Sequence, residues 1–154
     1  MNAPVLLAAW PGVGSVGIGT VDFIRRKLDA KRLADLDLRS HFTSDGVLVE
    51  DGLTRAFSDL PTHVFYSVPE SGLILSQSEA QLEGKPGVEV MQAVIDFAQK
   101  VGVKTIYTAA ALPATISFTQ EPEVAVVVNR EGLLESFEGH DVAPLEQGHI
   151  SGMN

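Results

Sequence analysis

Glycines at 12, 14 and 17 stand in the order G-x-G-x-x-G, directly after an apolar run from Val5 to Trp10 and directly before an amphipathic segment that ends near Asp29. In a strand, turn and helix this spacing does chemistry: the turn is tight, the backbone approaches a ligand closely, and the first helical amides face an anion. A dinucleotide would also use an acid about twenty residues on for a ribose hydroxyl, and Asp35 and Asp37 stand there. Ser15 offers a second chemistry. Val13-Gly14-Ser15-Val16-Gly17 approaches the nucleophile elbow G-x-S-x-G, with Val13 in place of the first glycine. A triad would then draw on His63, His140 or His149 with an acid such as Asp141, an order that no spacing selects. The plainer expectation for Ser15 is an N-cap or N-terminal turn residue whose hydroxyl satisfies a free helix amide.

Two further segments place small polar residues after apolar strands: Ser44-Asp45-Gly46, and Ser76 to Gln81. Ligands of open α/β sheets lie outside the carboxyl ends of the strands. Gly12, Gly14, Ser15, Gly17, Asp45 and Gln81 are therefore the candidate ligand-binding residues of one cleft, with a nucleotide or nucleoside as its occupant. The pair Gly84-Lys85 runs into Pro86, so it makes no P-loop. His41, His63, His140 and His149 stand at no metal-ligand spacing. No catalytic residue, metal or cofactor is assigned.

The elements that must position these residues follow from periodicity. Ile18, Val21, Ile24 and Leu28 recur at helical spacing, and residues 34–42 alternate as a strand. Asp51-Gly52 sits between two apolar runs and predicts a two-residue hairpin turn. Residues 63–68 and 72–77 are short apolar runs that read as buried strands. Pro86-Gly87 opens a second helix with an apolar stripe at Met91, Val94, Ile95, Ala98 and Val101, ended by Gly102. A strand from Val103 to Thr108 follows, then a β-branched run from Val124 to Val128 typical of a strand covered on both faces, then a short helix over 131–137. Together these predict an α/β fold of three layers, α/β/α, with a mixed sheet.

At 154 residues the prior is one domain, residues 1–154. Apolar residues make up 45% of the chain and charged ones 20%, which excludes disordered and fibrous classes and leaves apolar surface for an interface. Twenty acids against 11 bases give a formal charge of −9, which repels phosphate backbones and argues against nucleic acid. Cysteine is absent, so disulfides and thiolate chemistry are excluded. The run from Val5 to Trp10 is too short for a membrane span. A cytoplasmic protein without a membrane partner is the simplest expectation.

Ala9-Trp10-Pro11-Gly12-Val13-Gly14-Ser15-Val16-Gly17 resembles the opening signature of the PAC2 family, the proteasome assembly chaperone type, in which a G-W-P-G-M-G-N-V-G-like segment follows the first strand. Ser44-Asp45-Gly46-Val47, Ile74-Leu75 leading to Gln81, the block from Phe97 to Thr108 and the final Ile150-Ser151-Gly152-Met153-Asn154 resemble later blocks of the family. Ala8-Ala9, Ser15 and Ala109-Ala110-Ala111 depart from its usual glycine, asparagine and glycines. The resemblance implies a nucleoside phosphorylase-like three-layer fold, homo-oligomerisation and non-enzymatic binding of protein subunits in proteasome assembly. Members usually continue for about a hundred residues past the Ile-Ser-Gly-x-Asn block, a domain-sized length. The C-terminal part typical of the family is thus expected to be lacking here.

Overall fold

The computed structural model of the protein describes residues 3–41, 48–55, 62–113, 116–148 and 150. The chain opens with β1 (Val5–Ala9), α1 (Val16–Lys27) and β2 (Lys31–Asp37). A small hairpin follows, β3 (Leu48–Glu50) and β4 (Leu53–Arg55). Then come β5 (Thr62–Val68), β6 (Leu73–Ser78), α2 (Gly84–Lys100) and β7 (Thr105–Thr108). Two compact units meet in sequence at Leu112 and Pro113.

The first unit is built on a five-stranded sheet in the order β2-β5-β6-β1-β7. β1 lies parallel to both β6 and β7, while β5 is antiparallel to β2 and β6, so the sheet is mixed and only β5 runs against the rest. From β1 the chain crosses through α1 towards the β2 edge, and from β6 it crosses through α2 to the opposite edge. Crossovers of one hand that lead in opposite directions place their helices on opposite faces. The packing agrees. Alternate β1 residues divide: Leu6, Ala8 and Trp10 pack with Phe65, Ile74 and the α2 residues Val90, Val94 and Ala98, whereas Leu7 and Ala9 pack with Leu75 and the α1 residues Ile18, Val21 and Ile24. This unit is the expected three-layer α/β/α arrangement.

Local differences from the sequence expectations have physical causes. β2 starts at Lys31, and the register with β5 slips between Arg32 and Ala34, leaving Leu33 as an extra residue. Alternation begins cleanly only after that bulge, and past Leu38 the chain turns into a 3₁₀ helix at Arg39–His41 instead of continuing as strand. The buried face of α2 runs through Gly87, Val90, Val94 and Ala98, with Val101 exposed. Gly87 sets that rotation: a Cβ there would lie 2.5 Å from the Leu82 carbonyl oxygen, so the first turn seats directly on the chain that enters the helix. The hairpin turns at Asp51 (φ 51°) and Gly52 (φ 77°), the positive pair expected of that dipeptide.

The second unit holds β8 (Ala125–Val126), parallel to β9 (Ala143–Pro144), and a 3₁₀ helix from Glu131 to Phe137. The covered strand expected over Val124–Val128 is not formed. Only two residues pair, Pro144 brings no N–H to the ladder, and Val124 and Val127 are exposed.

Candidate functional site

The segment joining β1 to α1 is a tight turn closed by the Ser15 N–H donating to the Gly12 carbonyl at 3.0 Å. Gly14 (φ 62°) and Ser15 (φ 55°) both lie in the left-handed region, a conformation that costs a residue with a Cβ about 1–2 kcal/mol. The Val16 N–H donates to the Val13 carbonyl. Two loop amides that an anion could have met are therefore bonded within the turn. Ser15 occupies the N-cap position of α1, but its hydroxyl makes no capping bond, so the capping role expected of it is not fulfilled. Gly17 has a different duty. It is buried, and a Cβ on it would lie 2.0 Å from the Ala109 carbonyl oxygen and 3.4 Å from the Ala9 Cβ. Its bare backbone lets α1 descend onto the sheet beside the segment that follows β7.

β1 and β6 are parallel neighbours, paired up to Ala9 and Gln77, and their onward connections diverge. Their carboxyl ends thus flank a topological switch point, the usual place for a ligand in an open sheet. Gly12, Gly14, Ser15 and Gly17 follow β1, and Gln81 follows β6. The Ser78 hydroxyl holds the segment that carries Gln81, donating to the Ala80 carbonyl at 2.8 Å and accepting from its N–H at 3.3 Å. Asp45 lies outside the described residues. The dinucleotide pattern is not assembled, because β2 is separated from β1 by β6 and β5, about 14 Å at the usual strand spacing. Asp35, its candidate ribose ligand, instead pairs with Arg32 at 2.7 Å.

Between β5 and β6 lies a buried polar pair that sequence reasoning missed. His63 Nε2 is hydrogen-bonded to the Ser76 hydroxyl across the antiparallel β5 and β6, and both side chains are fully buried. Trp10 and Phe65 flank the imidazole at ring centroid distances of 5.6 and 5.0 Å. Its Nδ1 has no hydrogen-bond partner among the described residues. Burial pushes the imidazole down from its ordinary 6.5 to about 4, so it is neutral at pH 7. A serine beside a neutral histidine is a nucleophile and a base. Sealed in the core, however, this pair meets no substrate. Nothing in the sequence spacing marks it, since it depends on the register that sets residues 13 apart side by side on neighbouring strands. Among the described residues no group of three or more His, Asp or Glu side chains is placed to hold a metal ion. Nor is any described helix long and apolar enough to cross a membrane.

A comparison with curated proteins returns no match. The model of the PAC2 family matches residues 6–154. The chain belongs to the PAC2 family. Three solved structures extend that likeness. An archaeal proteasome activator of Pyrococcus furiosus is 25% identical with a TM-score of 0.74, covering 99% of this chain and 67% of its own. An archaeal homologue of proteasome-assembly chaperone, also from Pyrococcus furiosus, is 21% identical with a TM-score of 0.71, covering 99% and 60%. A proteasome-assembly chaperone homologue of Mycobacterium tuberculosis is 16% identical with a TM-score of 0.65, covering 97% and 65%. This PAC2 chain therefore spans 60–67% of the length of these relatives. In this PAC2 chain the glycine signature at 12–17 is the element that joins β1 to α1.

Proposed function

We propose that this chain is a non-enzymatic, oligomer-forming PAC2 protein that binds protein subunits in proteasome assembly in the cytoplasm, with residues 1–154 working as one PAC2-like domain. The observation that carries this reading is the likeness along 99% of the chain to a proteasome activator, together with the family match. The glycine turn supports it: Gly17 is used for packing, and the Ser15 and Val16 amides are already bonded. Co-expression of the tagged chain with proteasome α and β subunits tests the reading. The expected result is a complex with these subunits and a faster appearance of assembled particles on native gels. No complex and an unchanged assembly rate would overturn it.

The crevice at the switch point favours a second reading, a nucleotide or nucleoside held by Gly12, Gly14, Ser15, Gly17, Asp45 and Gln81. A thermal-shift series with ATP, NAD, adenosine and inorganic phosphate separates the two. A ligand at a hundred times its Kd stabilises the native state by about 2.7 kcal/mol, which moves Tm by several degrees. The assembly reading expects no shift with any of the four. A shift abolished by Gly14→Val would instead support the ligand site.

A further inference from the structure

The outward face of α1 has an arrangement that the chain's own packing does not explain. Val16, Gly19, Thr20, Phe23 and Lys27 share it at helical spacing, with Val16 50% and Phe23 57% exposed. The Thr20 hydroxyl donates to the Val16 carbonyl at 2.9 Å, so its hydrogen is spent within the helix. Gly19 sits inside the helix, where glycine costs about 0.5–1 kcal/mol relative to alanine. No atom lies within 4 Å of where its Cβ would be. Neither backbone conformation nor internal sterics calls for glycine there, whereas a neighbouring molecule's backbone could approach it closely.

Charge distinguishes this region as well. Residues 22–35 hold five bases, Arg25, Arg26, Lys27, Lys31 and Arg32, against Asp22, Asp29 and Asp35, in a chain whose net charge is −9. Arg25 and Arg26 share Asp22, Lys31 pairs with Asp29 and Arg32 with Asp35, so the corner carries a net excess of two positive charges, with Lys27 over the Phe23 ring. The second unit is the opposite: residues 113–150 hold seven acids and one base, Arg130. Glu131, Glu135 and Glu138 lie exposed on or beside its 3₁₀ helix without an ion partner among the described residues. Phe118, Val124 and Val127 are exposed in the same unit. A strongly acidic chain resists contact with its own copies unless unlike patches meet.

We propose that copies of this chain associate head to tail, the acidic unit 113–150 of one docking on the α1 face and the basic corner behind it on the next. The proposal rests on the self-association part of the reading above, and it names the surfaces. The two patches differ, so the contact is heterologous and each copy carries one of each. Phe23 and Val16 supply the apolar centre, Gly19 the close approach, and the base-rich corner the orientation.

Analytical ultracentrifugation of the chain alone tests this, with no proteasome subunit present. Wild type is expected to oligomerise, and more weakly at high salt, which screens exposed charges. One variant carries Arg26→Glu and Lys27→Glu, the other Glu135→Lys and Glu138→Lys. Each is expected to lose self-affinity by about tenfold or more. Mixed one to one, they present one native pair of patches and one pair with both charges reversed, each complementary, so the mixture is expected to regain the assembly that each variant loses alone. Gly19→Gln, which has room within the fold, is expected to dissociate the oligomer while the chain keeps its circular-dichroism spectrum. Oligomers indifferent to all three variants would overturn the assigned surfaces and leave self-association standing. A wild type that stays monomeric throughout the micromolar range would overturn both.

Discussion

Gly17→Ala lowers the stability of this chain by about 3 kcal/mol, the upper part of the range for overpacking a tight contact. Gly19→Ala, two residues along the same helix, raises that of the dissociated chain by about 0.5–1 kcal/mol. The asymmetry follows from geometry. At position 17 the new methyl would stand 2.0 Å from the Ala109 carbonyl oxygen, a backbone atom that moves only if the chain after β7 or the whole of α1 shifts. At position 19 there is nothing within 4 Å, and alanine only gains helix propensity. Thermal denaturation reads the pair directly. For a chain of this size the first change lowers Tm by about 6–12 °C, and the second raises it by about 2 °C. Equal effects at the two sites would mean that the third glycine of the signature does not serve close packing.

That contrast shows how far the sequence could be read. The strand, glycine turn and first helix were legible because apolar periodicity switches from a continuous run to a spacing of three and four between Trp10 and Ile18. The Asp51-Gly52 hairpin was legible because its dipeptide demands two positive φ values. Which strands lie side by side was not. Asp35 is at the right distance in sequence for a dinucleotide, yet β2 joins the sheet three places from β1, and sequence spacing carries no information on strand order. Burial misled in the same way. The valines from 124 to 128 have the composition of a covered strand, but composition reports an affinity for cover and does not supply the cover. The glycines illustrate the opposite limit, since the spacing at 12, 14 and 17 suits both a ligand and a packing contact. Only the position of Ala109 tells which duty Gly17 performs.

The unit that carries the glycine turn thus gains its order from contacts made at the carboxyl ends of the strands. Gly17 meets Ala109 there, Gly87 meets Leu82, and Ser78 ties down Ala80. These fix where both crossover helices begin. A surface presented by α1 inherits that rigidity, which suits docking with a fixed geometry.

The same end of the sheet holds a buried group whose titration couples stability to pH between neutral and acid. His63 is pushed down to about 4 by burial, while in the unfolded chain it titrates near 6.5. Between those values the unfolded state binds a proton that the native state refuses, so stability rises with pH across the interval. The chain is therefore expected to be at full strength above about pH 6.5 and to lose about 3 kcal/mol as pH falls to 4. Asp22, held below its ordinary 3.8 by its hydrogen bond to Arg25, acts only at lower pH and leaves this window to the histidine. Urea denaturation at half-unit steps from pH 4 to 8 measures the slope. Ser76→Ala alone leaves His63 Nε2 buried without its partner and is expected to cost about 1–3 kcal/mol at pH 7. The double variant His63→Phe with Ser76→Ala removes both partners together, keeps an aromatic ring between Trp10 and Phe65, and is expected to be nearly neutral at pH 7 with the slope gone. A slope that survives in the double variant would show that another group controls the acid response.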